Sequence, residues 1–160
     1  MQTFQYKIIC RILNCGYNLY KWKLTESPFC VYCRQIDTIE HHLYLCAYSK
    51  KFWELFEKWV SKYLSPTLQL TICEIMFGKN IRESDNVTKV INVLINYGKW
   101  YINHKRTNEK NLCFFEFTRL CEGKIRTLKY CDESTIERTQ NNVFETFDSI
   151  KFDIEVTDLT

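Results

Sequence analysis

The stretch Phe29–Cys46, FCVYCRQIDTIEHHLYLC, decides how the rest of this chain is interpreted. It contains Cys30, Cys33, His41 and Cys46 in the spacing C-x2-C-x7-H-x4-C. Such a set suits Zn²⁺, which binds Cys sulfur at about 2.3 Å and His nitrogen at about 2.0–2.1 Å in a tetrahedron. Because the protein supplies all four ligands, the pattern predicts a structural zinc knuckle rather than a catalytic metal site.

The spacing alone leaves the choice of histidine open. Asp37 followed by Glu40 has the spacing of a capping box, so we expect a helix to begin directly after Asp37 and to carry both histidines. Residues four apart share one face of a helix, whereas residues five apart do not. An unbroken helix therefore favours His42 as the partner of Cys46. His41 is suitable only if the helix loosens or ends before Cys46.

The composition favours a mainly helical protein in a reducing compartment. Only four glycines and two prolines are present among 160 residues, which argues against many short strands. Nine cysteines without a signal-peptide pattern indicate metal binding rather than a disulfide framework, and we expect an intracellular location, nuclear or cytoplasmic. No run of 18 apolar residues occurs, so we expect neither a transmembrane helix nor a membrane partner.

The net charge of +3 is unevenly distributed along the chain. Residues 1–131 hold 20 Lys and Arg against 11 Asp and Glu, whereas residues 132–160 hold two against eight. A basic body of this kind can bind a polyanion, although ordinary solvated charges on helices explain any single residue equally well.

Apolar periodicity predicts a mainly α fold in which the knuckle lies between the first and second helices. We expect helices over residues 3–20, 48–64, 86–106, 114–130 and 134–148. The segment 68–77 fits either a strand-like piece or one helical turn. The predicted organisation is a zinc-knuckle module with an aromatic-rich helix (1–64), a connector (65–84), a C-terminal helical region (85–150) and an acidic tail (151–160).

The chain resembles the C-terminal part of non-long-terminal-repeat (LINE-type) retrotransposon reverse transcriptases. Three stretches carry the resemblance, namely FQYKIICRILNCGYNLYKWKLTESPFCVYC (4–33), DTIEHHLYLCAYSKKFWELFEKW (37–59) and INYGKWYINHKRTNEKNLCFFEFTRL (95–120). The second is similar to the family pattern E-T-x-x-H-x4-C followed by an aromatic helix. The resemblance implies a zinc-binding CCHC segment, with the remainder of a reverse transcriptase as a partner if the chain belongs to a longer protein.

Two departures from the family pattern matter for the expected function. The resemblance makes His41 the ligand, but no proline follows Cys46, so His42 stays a candidate. No adjacent aspartate pair of the kind that holds polymerase Mg²⁺ occurs in the chain. The resemblance therefore implies a non-catalytic piece of a larger protein, or a remnant reading frame.

Three functions follow from these features. The first is a nucleic-acid-binding module that holds template RNA or target DNA, with cations beside interleaved aromatic rings. The second is a structural or protein-interaction module, which predicts that Trp22, Tyr32 and Tyr44 are buried. The third is an enzyme with Cys46 as nucleophile and His42 as base, which no orienting group supports. The candidate nucleic-acid contacts are Lys21, Lys23, Arg34, Lys50, Lys51, Lys99, Lys105 and Arg106.

Overall fold

The computed structural model describes residues 2–80 and 86–131 of the chain. The helices are α1 (Gln2–Ile9), α2 (Gly16–Lys21), a π-helical turn (His41–Leu45), α3 (Ala47–Tyr63), α4 (Ile72–Phe77), α5 (Asn86–Thr107) and α6 (Phe114–Cys131). Within these ranges the structure contains no strand, and Phe29 forms an isolated antiparallel bridge with Ile36. The predicted mainly α fold is confirmed. The predicted helix 134–148 and the acidic tail lie outside the described residues.

The N-terminal segment departs from the prediction of one helix over residues 3–20. That prediction is wrong, because the chain turns between α1 and α2, where Arg11 has a φ of 57°. The side-chain amide of the buried Asn18 donates to the carbonyls of Arg11 and Leu13 at 2.9 and 2.8 Å. These bonds satisfy carbonyl groups that a continuous helix would have satisfied with backbone N–H groups. The knuckle consequently follows the second helix rather than the first.

The long helix α3 begins and ends within one residue of its predicted bounds. Its inner face packs against α5 and α6 through aromatic rings in edge-to-face and stacked contacts. The rings of this cluster are nearly or fully buried and belong to Phe52, Trp53, Phe56, Trp59, Tyr101, Phe114 and Phe117. Residues before 64 and after 86 thus contribute to one hydrophobic core.

Close approach between α3 and α5 depends on Gly98. A Cβ atom at Gly98 would lie 2.9 Å from Cη2 of Trp53, well inside van der Waals contact. The indole of Trp53 is fixed from its other end, since its Nε1 donates to the carbonyl oxygen of Leu43 at 2.7 Å. Gly98, which interrupts the apolar stripe of α5, therefore allows close packing next to the π-helical turn.

The segment 68–77, which fitted either a strand-like piece or a helical turn, contains the short helix α4. Thr71 and Glu74 form a capping box at its start, which explains why the segment becomes helical. The ammonium of Lys99 is fully buried beside this helix, where it donates to Oε1 of Gln5 at 2.6 Å and to the carbonyl of Met76 at 3.2 Å. One buried cation thereby connects α1, α4 and α5.

Candidate metal centre

Four side chains converge in the structure between α2 and α3. The sulfur atoms of Cys30, Cys33 and Cys46 and a ring nitrogen of His41 all lie within 4.8 Å of one another. The sulfur of Cys46 is 3.8 Å from that of Cys30 and 3.9 Å from that of Cys33. A regular tetrahedron with metal–sulfur bonds of about 2.3 Å has sulfur–sulfur edges of about 3.8 Å. The cluster therefore has the size and the donor set of a four-coordinate metal site.

A tight turn brings the first two cysteines together. Its backbone bonds run from the N–H of Arg34 to the carbonyl of Cys30 (2.8 Å) and from the N–H of Cys30 to the carbonyl of Gln35 (2.7 Å). Arg34 adopts a left-handed conformation with a φ of 59°, which lets the chain reverse directly after Cys33. The reversal leaves both thiols on the same side of the turn.

The π-helical turn resolves which histidine joins the cysteines. The N–H of Cys46 donates to the carbonyl of His41 at 3.0 Å, which is the i→i+5 bond of a π-helix. Residues five apart are therefore brought into register, and Nε2 of His41 lies 3.1 Å from the sulfur of Cys33. Cys46 then leaves the helix with a ψ of 131°, before α3 begins. The loosened helix that His41 requires is thus what the structure contains.

His42 occupies a different position from His41. Its Nδ1 lies 3.0 Å from Oδ2 of Asp37, and its buried Nε2 has no hydrogen-bond partner. Burial lowers the pKa of His42, although the carboxylate of Asp37 opposes this effect, so the ring is neutral at pH 7. Since neither ring nitrogen bonds Cys46, the nucleophile–base pair considered from the sequence is not formed.

The ionisation of the cluster favours metal binding at some sites and opposes it at others. Burial lowers the pKa of His41, which keeps the imidazole in its neutral, metal-binding form. Burial raises the pKa of Cys33 to about 11, so a metal has to displace a proton from this thiol. Burial also opposes ionisation of Cys46, but the Arg106 guanidinium and N–H groups at the start of α3 outweigh it and lower its pKa.

A buried polar network surrounds the cluster. Arg106, on α5, donates from one terminal nitrogen to the sulfur of Cys30 at 3.1 Å and to Oδ1 of Asp37 at 3.0 Å. Its other terminal nitrogen lies 3.3 Å from the hydroxyl of Ser49. Oδ2 of Asp37 also accepts the N–H of Gly16 at 2.9 Å. Burial would raise the pKa of Asp37, but the hydrogen bond with His42, the N–H of Gly16 and the charge of Arg106 lower it on balance, so the carboxylate is ionised.

The role predicted for Asp37 as a helix cap is wrong. Thr38 takes that place, because its hydroxyl accepts the N–H of His41 at 3.2 Å. Glu40, the other half of the expected capping box, instead pairs with Arg11 at 2.7 Å. The carboxylate of Asp37 is directed inward to Arg106, and no periodicity or spacing in the sequence indicates that contact.

The eight cations predicted to contact nucleic acid fall into two groups. Five of them are exposed, and they are Lys21, Lys23, Arg34, Lys50 and Lys51. The prediction is wrong for Lys99 and Arg106, since both are buried and bonded inside the protein. Lys105 is largely covered and pairs with Glu116 at 2.6 Å. Spacing along α5 could not reveal these partners, because they come from distant segments.

The aromatic residues near the cluster also divide into an exposed group and a partly buried group. Tyr17, Tyr20 and Trp22 are 46%, 48% and 41% exposed. The ring of Tyr32 instead stacks on that of Tyr48, with centroids 4.5 Å apart, and both are half-buried. The burial of Trp22 expected for a purely structural module is therefore not observed, whereas Tyr32 and Tyr44 are partly covered.

Comparisons of this chain with protein families, with curated proteins and with solved structures found no match. In the described parts of the chain, no helix combines the length and the apolar character needed to cross a bilayer.

Proposed function

We propose that this chain is a non-catalytic, zinc-stabilised nucleic-acid-binding module of a LINE-type reverse transcriptase. Two features support the proposal, and the first is the Cys3His cluster. Thiolate sulfur favours soft or borderline metals, and a closed tetrahedral set of three cysteines and one histidine is one of the common structural zinc sites. Because thiolates bind metal only when reduced, we also propose a reducing, intracellular compartment for the protein.

The observation that carries the nucleic-acid part is the surface formed by Tyr17, Tyr20, Lys21, Trp22 and Lys23, here called the α2 surface. All five side chains are exposed, and the segment leads directly into the cysteine turn. Stacking of a base on a free aromatic ring contributes about 1–3 kcal/mol, without strong sequence preference. Neighbouring ammonium groups add a salt-dependent attraction to phosphate. The α2 surface therefore has the chemistry of a site for single-stranded RNA or DNA.

A first experiment tests the metal part. Native mass spectrometry of the purified chain counts zinc, and circular dichroism follows helix content during titration with a chelator. We expect one zinc per chain and a loss of helix on chelation, because metal binding and folding are coupled in small sites of this kind. A full-length chain that keeps its helix content without any bound metal would refute the zinc assignment.

A second experiment tests the nucleic-acid part. Fluorescence anisotropy with single-stranded RNA and DNA is recorded over a range of salt concentrations for the wild type and for a Lys21→Gln, Lys23→Gln, Arg34→Gln variant. Loss of three phosphate contacts should lower the magnitude of the salt slope by about 2, at about 0.7 per contact. The matched control replaces three other exposed cations, Lys7 on α1, Lys58 on α3 and Lys124 on α6, with glutamine.

The outcome separates this function from the protein-interaction alternative. Equal binding by the triple variant and the control would remove the cations of the α2 surface, together with Arg34, as the binding site. The alternative is favoured by the apolar side chains that flank Cys30, Phe29 and Val31, which are 53% and 68% exposed. A metal-loaded protein that binds neither RNA nor DNA at low salt would support that second function.

A further inference from the structure

The guanidinium of Arg106 reaches the metal cluster from the C-terminal half of the described chain. Its side chain is 2% exposed, and one terminal nitrogen bonds both the sulfur of Cys30 and the carboxylate of Asp37. The hydroxyl of Ser49 is the third polar group at the guanidinium, at 3.3 Å. The ring of Tyr32 covers its face, with 5.1 Å between ring centroid and guanidinium carbon.

We propose that Arg106, oriented by Asp37, is an outer-sphere residue of the metal site that sets its charge and holds α5 to the knuckle. This inference rests on the metal-binding part of the proposed function. Outer-sphere partners orient ligands and tune the electron density on the donor atom. An N–H group at 3.1 Å from a thiolate has the distance needed for that role.

The charge of the loaded site explains why a cation is buried here. Three thiolates and a neutral imidazole around Zn²⁺ leave one excess negative charge, in a place largely removed from water. Buried charge is tolerated only when it is paired and hydrogen-bonded. Arg106 supplies a positive charge at the sulfur of Cys30, and the ionised carboxylate of Asp37 accepts from the same terminal nitrogen and holds it in place. One terminal nitrogen bonds both the sulfur and the carboxylate, and the second reaches the hydroxyl of Ser49, a fixed planar arrangement that the single ammonium of lysine does not provide.

A thermodynamic consequence follows for the whole chain. Arg106 lies 60 residues beyond Cys46, so metal binding at the knuckle and packing of α5 stabilise each other. Because the coupling is reciprocal, a change that weakens the packing of α5 also weakens metal binding, and removal of the metal weakens the packing of α5. The metal site is therefore completed by a helix outside the C-x2-C-x7-H-x4-C motif.

The test uses Arg106→Met in the full chain, with Lys105→Met as the matched control. Both substitutions remove one cation from neighbouring positions of α5, but Lys105 pairs with Glu116 and has no bond to the cluster. Competition with a chromophoric chelator measures zinc affinity. We expect Arg106→Met to bind zinc about 10–100-fold more weakly than wild type, as for loss of other outer-sphere partners. Lys105→Met should stay within about twofold of wild type.

A spectroscopic readout separates the proposed contact from a general loss of stability. In the Co²⁺-substituted protein, the sulfur-to-cobalt charge-transfer bands should move to lower energy in Arg106→Met, because a thiolate without its N–H donor is easier to oxidise. Ile102→Ala provides a destabilised control, since this fully buried residue of α5 has no polar side chain to bond sulfur. It should weaken folding and leave the bands unchanged. Arg106→Lys should restore part of the affinity through its charge.

The possible results distinguish the two proposals. A wild-type chain that takes up no zinc or cobalt defeats the zinc assignment itself. A wild-type chain that binds zinc, with Arg106→Met equal to Lys105→Met in affinity and in cobalt spectrum, overturns the outer-sphere role alone. Weaker binding with unchanged cobalt bands, as in Ile102→Ala, also overturns it, since Arg106 would then act only through the stability of α5.

Discussion

Replacing Gly98 with alanine sets helix propensity against packing in α5. The substitution should stabilise an isolated helix by about 1 kcal/mol, since glycine has far more freedom to lose than alanine. In the folded protein the new methyl carbon would lie 2.9 Å from Cη2 of Trp53, 3.2 Å from its Cζ3 and 3.3 Å from Cε1 of Phe52. Something in the core therefore has to shift.

The indole of Trp53 has little room for that shift. It is 1% exposed, its Nε1 is bonded to the carbonyl of Leu43, and Phe52 and Phe56 meet it edge to face. Overpacking of a well-filled core costs about 1–3 kcal/mol. We therefore expect Gly98→Ala to lower the free energy of unfolding by up to about 2 kcal/mol, after subtraction of the propensity gain.

Gly123 in α6 supplies the matched control. A Cβ atom there would meet nothing within 4 Å, so Gly123→Ala changes little besides helix propensity. We expect that variant to gain about 0.5–1 kcal/mol. Urea denaturation of the zinc-saturated chains, followed by circular dichroism, measures both variants, and the midpoints should move in opposite directions. If Gly98→Ala stabilises the chain as much as Gly123→Ala does, the contact with Trp53 does not restrict α5 and the reasoning fails.

Three further predictions test separate parts of the structure. His41→Ala should lower zinc affinity by more than the roughly 10–100-fold typical of outer-sphere changes, whereas His42→Ala should keep one zinc per chain by mass spectrometry; equal losses would refute the ligand choice. Burial lowers the pKa of Lys99 from 10.5 to about 8, so the unfolded chain binds more protons between these values. Raising the pH through this window should therefore stabilise wild type relative to Lys99→Met, by up to about 3 kcal/mol in urea denaturation, and a constant difference would contradict it. Arg34→Gly should relieve a left-handed conformation that costs arginine about 1–2 kcal/mol, so stability should not fall although anisotropy shows weaker nucleic-acid binding; a clear loss of stability would contradict it.

The helices that the sequence predicted well are those with strong apolar periodicity. In α3 the stripe of Phe52, Phe56 and Trp59 lies in the core, as its spacing requires. The same holds for Val90 and Leu94 in α5. Packing of an amphipathic face dominates helix stability, so a strong stripe is sufficient to define such an element. The donor types and spacing of the metal cluster were also visible, because all four ligands lie in one short segment.

The features that the sequence could not supply depend on contacts between distant segments. The break between α1 and α2 is stabilised by the side chain of Asn18, which no apolar pattern reveals. Lys99 and Arg106 looked like surface cations because charge is usually exposed, yet each finds buried partners on another element. The sequence shows how residues are spaced within one helix, but it does not show which hydrogen-bond acceptors another helix or loop places beside them.

The π-helical turn links the choice of ligand to the packing of the core. It places His41 in register with Cys46 and presents the carbonyl of Leu43, two residues after His41, to the indole of Trp53. That indole is packed against Gly98 of α5, and α5 also carries Arg106 to the sulfur of Cys30. Helix α5 therefore supports the cluster at two separate places, one through the core and one through a charged hydrogen bond. Since a regular α-helix would bring residues four apart into register, the pairing of His41 with Cys46 depends on the extra residue in this turn, and the same turn presents the carbonyl through which the core supports the cluster.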